Sequence, residues 1–207
     1  RCVSGLRRVD YRLAWASVRG PGVTVTTFKQ TDRKAQGRGH PVMFGLPEAE
    51  FFGDFPDGGG YPHRFLKRAF EIMNVTEPAQ VLHVCSGSMK IGVCVDIRPA
   101  MNPTIIADVR HLPFANDSFQ WVMADPPYSR EYAENLYGTG AVYPDPHQLV
   151  NECLRVLAPG GRLGFMHHIV PKFKHPGRLL KVHTITQGPG YNVRAWSVFI
   201  KDPVCAR

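Results

Sequence analysis

The sequence predicts an α/β fold: a doubly wound, largely parallel sheet with an antiparallel terminal strand. Three observations carry this expectation. From residue 80 onward, short apolar runs of strand length alternate with helix-period stripes. Polar and glycine residues stand where those runs end. The last two runs flank Gly188-Pro189-Gly190, a hairpin signal. Strands alternating with helices favour parallel pairing through crossovers. Sheets of this kind bind ligands beyond the carboxyl ends of their strands.

In chain order, residues 1–40 show no sustained periodicity, apart from the short strand pattern Val23-Thr24-Val25-Thr26-Thr27-Phe28. Residues 37–62 are rich in Gly and Pro, with Asp57-Gly58-Gly59-Gly60 as a hinge. We therefore divide the chain into a basic, Gly/Pro-rich extension, 1–60, and an α/β domain, 61–207. A helix is expected over 62–73, opened by Pro62, with Phe65, Leu66, Ala69, Phe70 and Met73 on one stripe. Strands are expected over 81–85, 93–97, 104–108 and 119–124. A helix over 148–157 carries Leu149, Val150, Cys153, Leu154 and Leu157. The turn Ala158-Pro159-Gly160-Gly161 then leads into a fifth strand, 162–168. Two late strands lie over 184–186 and 195–200. Only the seven residues Ser86 to Gly92 separate the first two strands. A crossover helix needs a dozen or more, but seven extended residues reach about 25 Å and can run back along a short strand. An extended loop is therefore expected in place of the helix.

Composition sets limits. At 43% hydrophobic and 20% charged, the chain reads as globular. No apolar run approaches the ~20 residues of a membrane span, and no secretory signal pattern is present. Five cysteines are scattered without a C-x-x-C pair, and nine histidines lack ligand spacing. We expect reduced thiols, no metal and a cytoplasmic location. The net charge is +8, and residues 1–40 hold nine Lys/Arg against Asp10 and Asp32, so +7 of it lies there. A basic arm with Tyr11, Trp15 and Phe28 interleaved points to nucleic acid, DNA or RNA, as a partner; a solvated terminus is the plainer reading.

The strand ends hold the candidate chemistry: Cys85-Ser86-Gly87-Ser88 after the first strand, Asp96-Ile97 at the second, Asp108-Val109 at the third and Asp125-Pro126-Pro127-Tyr128 after the fourth. Taken in order, with L-R-V-L-A-P-G-G-R-L before the fifth strand, these segments resemble the amino-methylating branch of the class I S-adenosylmethionine-dependent methyltransferases, whose adenine-N6 and cytosine-N4 enzymes carry D-P-P-Y. The resemblance covers residues 62–200 and implies a Rossmann-like fold with S-adenosyl-L-methionine as cofactor. It places His83, Cys85, Ser86, Gly87, Ser88, Asp96, Ile97, Asp108, Val109 and Asp125 around that cofactor, with Asp96 on the ribose hydroxyls and Asp108 beside the adenine. The catalytic group it implies is Asp125, Pro126, Pro127 and Tyr128.

The chemistry behind the tetrad is specific. A conjugated amine is a poor nucleophile because its lone pair is delocalised. Asp125 and the Pro126 carbonyl can each accept one of its N–H bonds, and neither proline offers a competing N–H. Tyr128 can stack on the flat ring. Arg130, Tyr132 and Tyr137, in the short stretch that follows, are candidate substrate contacts, and Lys90 is placed to reach the cofactor's carboxylate. The chain departs from the family pattern at His83, where an acid is usual, and in having Gly87 alone as a secure loop glycine. The glutamine-methylating branch carries Asn at the position of Asp125, which favours a nucleobase acceptor. A guanine amino group, a nucleotide, a protein amide, or a catalytically silent nucleic-acid-binding module remain as alternatives.

Overall fold

The computed structural model describes residues 61, 65–174, 177–186 and 192–203, all within the unit Ala49–Arg207. The basic arm, the Gly/Pro-rich linker, Pro62 and the Gly188-Pro189-Gly190 turn lie outside the described residues.

Helix α1 (Phe65–Met73) precedes strands β1 (Leu82–Val84), β2 (Val93–Asp96), β3 (Ile105–Ile106) and β4 (Phe119–Ala124). Then follow α2 (Arg130–Tyr137), α3 (Pro146–Val156), β5 (Leu157–His167), β6 (Gly177–Ile185) and β7 (Arg194–Lys201). The strands form one sheet in the order β3-β2-β1-β4-β5-β7-β6. The first five pair parallel, while β7 runs antiparallel between β5 and β6. This is the Rossmann-like arrangement expected.

Each face of the sheet is covered by the helix whose stripe fits it. On one face, Leu149, Val150, Cys153 and Leu154 of α3 pack against Val84, Val122, Leu163 and Phe199. On the other, Phe65, Ala69 and Met73 of α1 pack against Met123, Met166, Trp196 and Val198. Burying a side chain the size of Phe65 or Met73 contributes roughly 1.5–3 kcal/mol. Gly164 on β5 leaves the space that the Trp196 ring fills; a Cβ there would collide with that ring and with the Met73 sulfur.

The β1–β2 connection has no helix. It is a tight loop held by backbone bonds from Ser86 N to Val95 O (3.0 Å) and Met89 N to Ser86 O (3.0 Å). Two other elements differ from expectation. Helix α3 begins earlier, because the Asp145 carboxylate caps it, accepting from His147 N (2.9 Å) and Gln148 N (3.1 Å), with Pro146 at the first position. Strand β6 begins at Gly177 rather than near residue 184, because an edge strand exposed on both sides needs no apolar alternation. The expected turn at 158–161 is a bulge inside β5: Phe119 pairs with Leu157, but Trp121 pairs with Arg162.

Candidate active site

Strands β2, β1 and β4 lie side by side and parallel, so their carboxyl ends line up. A cavity of about 530 Å³ opens across them, within the usual range for a small-molecule site. The segments at the ends of β1, β2 and β3 line it with Cys85, Gly87, Asp96, Ile97, Asp108 and Val109; the chain after β4 lines it with Asp125, Pro126, Pro127, Tyr128, Tyr132 and Tyr137.

The carboxylate of Asp96 is almost wholly buried and fully bonded. Its Oδ1 accepts from Arg98 N (2.9 Å) and Nε (3.0 Å); its Oδ2 accepts from Arg98 Nη2 (3.0 Å) and from Gly87 N (2.9 Å). Burial alone would raise its pKa, but the Arg98 and Gly87 donors outweigh it and hold the group below the usual carboxylate range. Gly87 reaches this position with φ of +52°, a conformation a Cβ penalises. Asp108 repeats the device: Arg110 donates from its backbone N (2.9 Å) and its guanidinium (2.6 Å), which lowers the carboxyl pKa. The Arg98 guanidinium also lies 4.4 Å from the Tyr137 ring centre.

After β4, Asp125 continues the β1–β4 ladder, its N–H donating to Val84 O (3.3 Å). The Tyr128 hydroxyl donates to Asp125 Oδ1 (3.1 Å). Burial raises the Asp125 pKa to about 7, opposed by the Tyr128 bond and the positive charge of Arg194. The Tyr128 ring sits among side chains from β5 and β7. His168 lies 4.3 Å away at 35°, His167 meets it edge-on at 5.4 Å, and Arg194 is 5.5 Å from its centre. Ser129 caps α2, accepting from Tyr132 N (3.0 Å), so the chain leaves the tetrad directly into the helix that carries Tyr132 and Tyr137.

Five expected contacts are corrected. His83 is fully buried and absent from the cavity lining. It projects to the opposite face of β1 from Leu82 and Val84, toward the rings of Tyr61 and Phe70. Ser86 is buried under the loop, and neither it nor Ser88 lines the cavity. Arg130 turns away to donate to Gly140 O (2.6 Å). Lys90 is held by the carbonyls of Met101 (2.7 Å) and Asn102 (2.9 Å) rather than facing the cavity. Conversely, sequence reading missed Arg98 and Arg194. Arg98 follows from the D-x-R spacing. Arg194 follows only from strand direction, because antiparallel β7 starts where its parallel neighbours end.

A Rossmann-like domain with a ligand cavity at its strand ends is therefore the class that fold and site define. The chain belongs to the methyltransferase domain family: residues 58–165, 108 of the 207, match that family. S-adenosyl-L-methionine is its cofactor. The cavity suits it, since Asp96 and Asp108 line the space in line with the Gly87 turn. Every acceptor position of Asp96 is already taken, however, so hydroxyls can reach it only as Arg98 yields a bond. No curated protein matches the chain in sequence. Among solved structures, it is similar to a chain from the complex of a Haloferax volcanii methyltransferase activator with a methyltransferase (15% identity, 69% of this chain and 90% of that one, TM-score 0.49). It is also similar to an Aquifex aeolicus SAM-dependent methyltransferase (13%, 65% and 88%, 0.43) and to the Burkholderia thailandensis 1,6-didemethyltoxoflavin-N1-methyltransferase (12%, 68% and 79%, 0.45).

Proposed function

We propose that the protein methylates an exocyclic amino nitrogen of a nucleobase, adenine N6 or cytosine N4, in DNA or RNA. The observation that carries this reading is the half-buried Asp125 carboxylate, held by Tyr128 and opening into the same cavity as Asp96 and Asp108. When bound, S-adenosyl-L-methionine supplies an electrophilic methyl group; Asp96, Asp108 and the Gly87 backbone would hold it. Asp125 accepts one N–H of the acceptor amine and the Pro126 carbonyl the other, so the nitrogen is fixed with its lone pair free. That is catalysis by positioning. Tyr128 keeps the carboxylate turned toward the cavity. The substituted amine becomes acidic, and Asp125, with a pKa near 7, takes its proton. In a duplex, the base has to leave the stack to reach this depth.

The test uses the full chain with tritiated cofactor and separate DNA, RNA, nucleotide and protein pools, followed by nucleoside mass spectrometry. Label in N6-methyladenine or N4-methylcytosine is expected. Label confined to protein or to free nucleotides would overturn the nucleic-acid reading.

A further inference from the structure

Away from the catalytic cavity, on the face of the sheet that α1 covers, basic side chains from three elements converge. Arg68, Arg162, Lys181 and His183 line a basin of about 380 Å³, with Glu71 and Asn74 between them. The strand register produces this convergence. Leu179 of β6 pairs with Phe199, but Lys181 pairs with Val198, so Leu180 is an inserted residue. Without that bulge, Lys181 would oppose Ser197 and face the other side of the sheet. With it, Lys181 and His183 oppose Val198 and Trp196, whose side chains pack on the α1 face. Bulges commonly re-aim a side chain in this way.

Charge in the basin is unbalanced. Arg68 is paired with Glu71 at 3.2 Å, and Arg162 donates to Ile72 O at 3.4 Å. The Lys181 ammonium has no hydrogen-bond or ion-pair partner among the described residues. Among the described residues that line the basin, three permanent cations face one carboxylate, in a stretch, residues 41–207, that carries only +1 of the +8. Val198 borders the basin and Arg194 the cavity. They lie four residues apart on one face of β7, about 13 Å at strand rise.

We propose that this basin holds a backbone phosphate of the nucleic acid whose base enters the cavity. The inference rests on the nucleobase reading above and adds to it a second point of grip. Phosphate contacts of this kind fix register without reading sequence.

The experiment titrates the full chain with short single-stranded DNA and RNA oligonucleotides over a series of salt concentrations. Arg68→Gln/Lys181→Gln is compared with wild type and with Arg178→Gln. Arg178 lies on the same strand but outside the basin, paired with Asp202 at 2.9 Å. The double variant is expected to weaken binding about tenfold and flatten the salt dependence by ~0.7 for each phosphate no longer neutralised. Arg178→Gln should leave the slope unchanged. An unchanged slope in the double variant, an equal loss in the control, no measurable oligonucleotide binding, or equal competition by polyglutamate would each overturn the proposal. Nucleobase methylation with an unchanged slope sinks the basin alone. A flattened slope with label only in protein sinks the nucleobase reading and, with it, the claim that the bound strand sends a base into the cavity.

Discussion

Asp125 carries the sharpest expectations at the scale of single residues. Asp125→Ala removes the acceptor that orients the amine, so kcat should fall by about 10² or more, while cofactor affinity by calorimetry stays near wild type. Full activity in that variant would make the tetrad structural. Because the carboxyl titrates near 7, kcat/KM should rise with pH and level off above that value. Arg194 lowers this pKa by its charge. Arg194→Gln should therefore move the midpoint to higher pH, and Arg194→Lys should restore it; a pH–rate profile that stays in place refutes the role. Most of this site was legible in the sequence, because Asp96 ends β2 and Asp108 and Asp125 stand within two residues of the ends of β3 and β4. His83 was not. Its position in the run Val81-Leu82-His83-Val84 fits a loop-facing acid as well as a core imidazole. Only the fold decides that its ring points at Tyr61 and Phe70.

Among the elements, the β1–β2 connection is the least ordinary. It closes through Gly92, at φ of +74°, where a Cβ would run into the Val81 carbonyl oxygen and come within 3.1 Å of the Pro78 carbonyl oxygen. Gly92→Ala combines a strained dihedral with a backbone collision. It should cost about 2 kcal/mol or more in denaturant unfolding; a change under about 0.5 kcal/mol would mean that the loop relaxes freely. The seven-residue spacing made the missing helix legible beforehand. The length of β6 was not legible, because Arg178-Leu179-Leu180-Lys181 has neither alternation nor a continuous apolar run. The start of α3 is written in Asp145-Pro146, a cap followed by a first-turn proline, but the apolar stripe that marks a helix begins only at Leu149.

For the whole molecule, acid stability should reflect a contest between buried groups. Burial lowers His83 and His167 to about 4. Between about pH 6.5 and 4, the unfolded chain therefore binds two protons that the folded chain refuses, and stability falls as pH falls. Asp125 acts the other way: folded, it holds its proton up to about 7, so acidification favours the folded state there. Two against one leaves a net loss, and His168, also lowered by burial, adds to it in the same direction. Asp125→Asn should steepen that loss, and His83→Leu should flatten it while stabilising at neutral pH, because both His83 ring nitrogens are buried without a partner among the described residues. Denaturant midpoints between pH 4.5 and 6.5 check all three directions. The helixless crossover also bears on how the chain finds its shape. Halving a connection lowers its closure entropy by about 0.6 kcal/mol, so β1 and β2 become a sequence-local parallel pair, the kind of contact that speeds folding. The compensating loss is solvent cover: Ile91 and Ile106, at this edge of the sheet, remain 44% and 59% exposed. The molecule trades a shielded sheet margin for a sequence-local strand pair, placed where its ligand cavity begins.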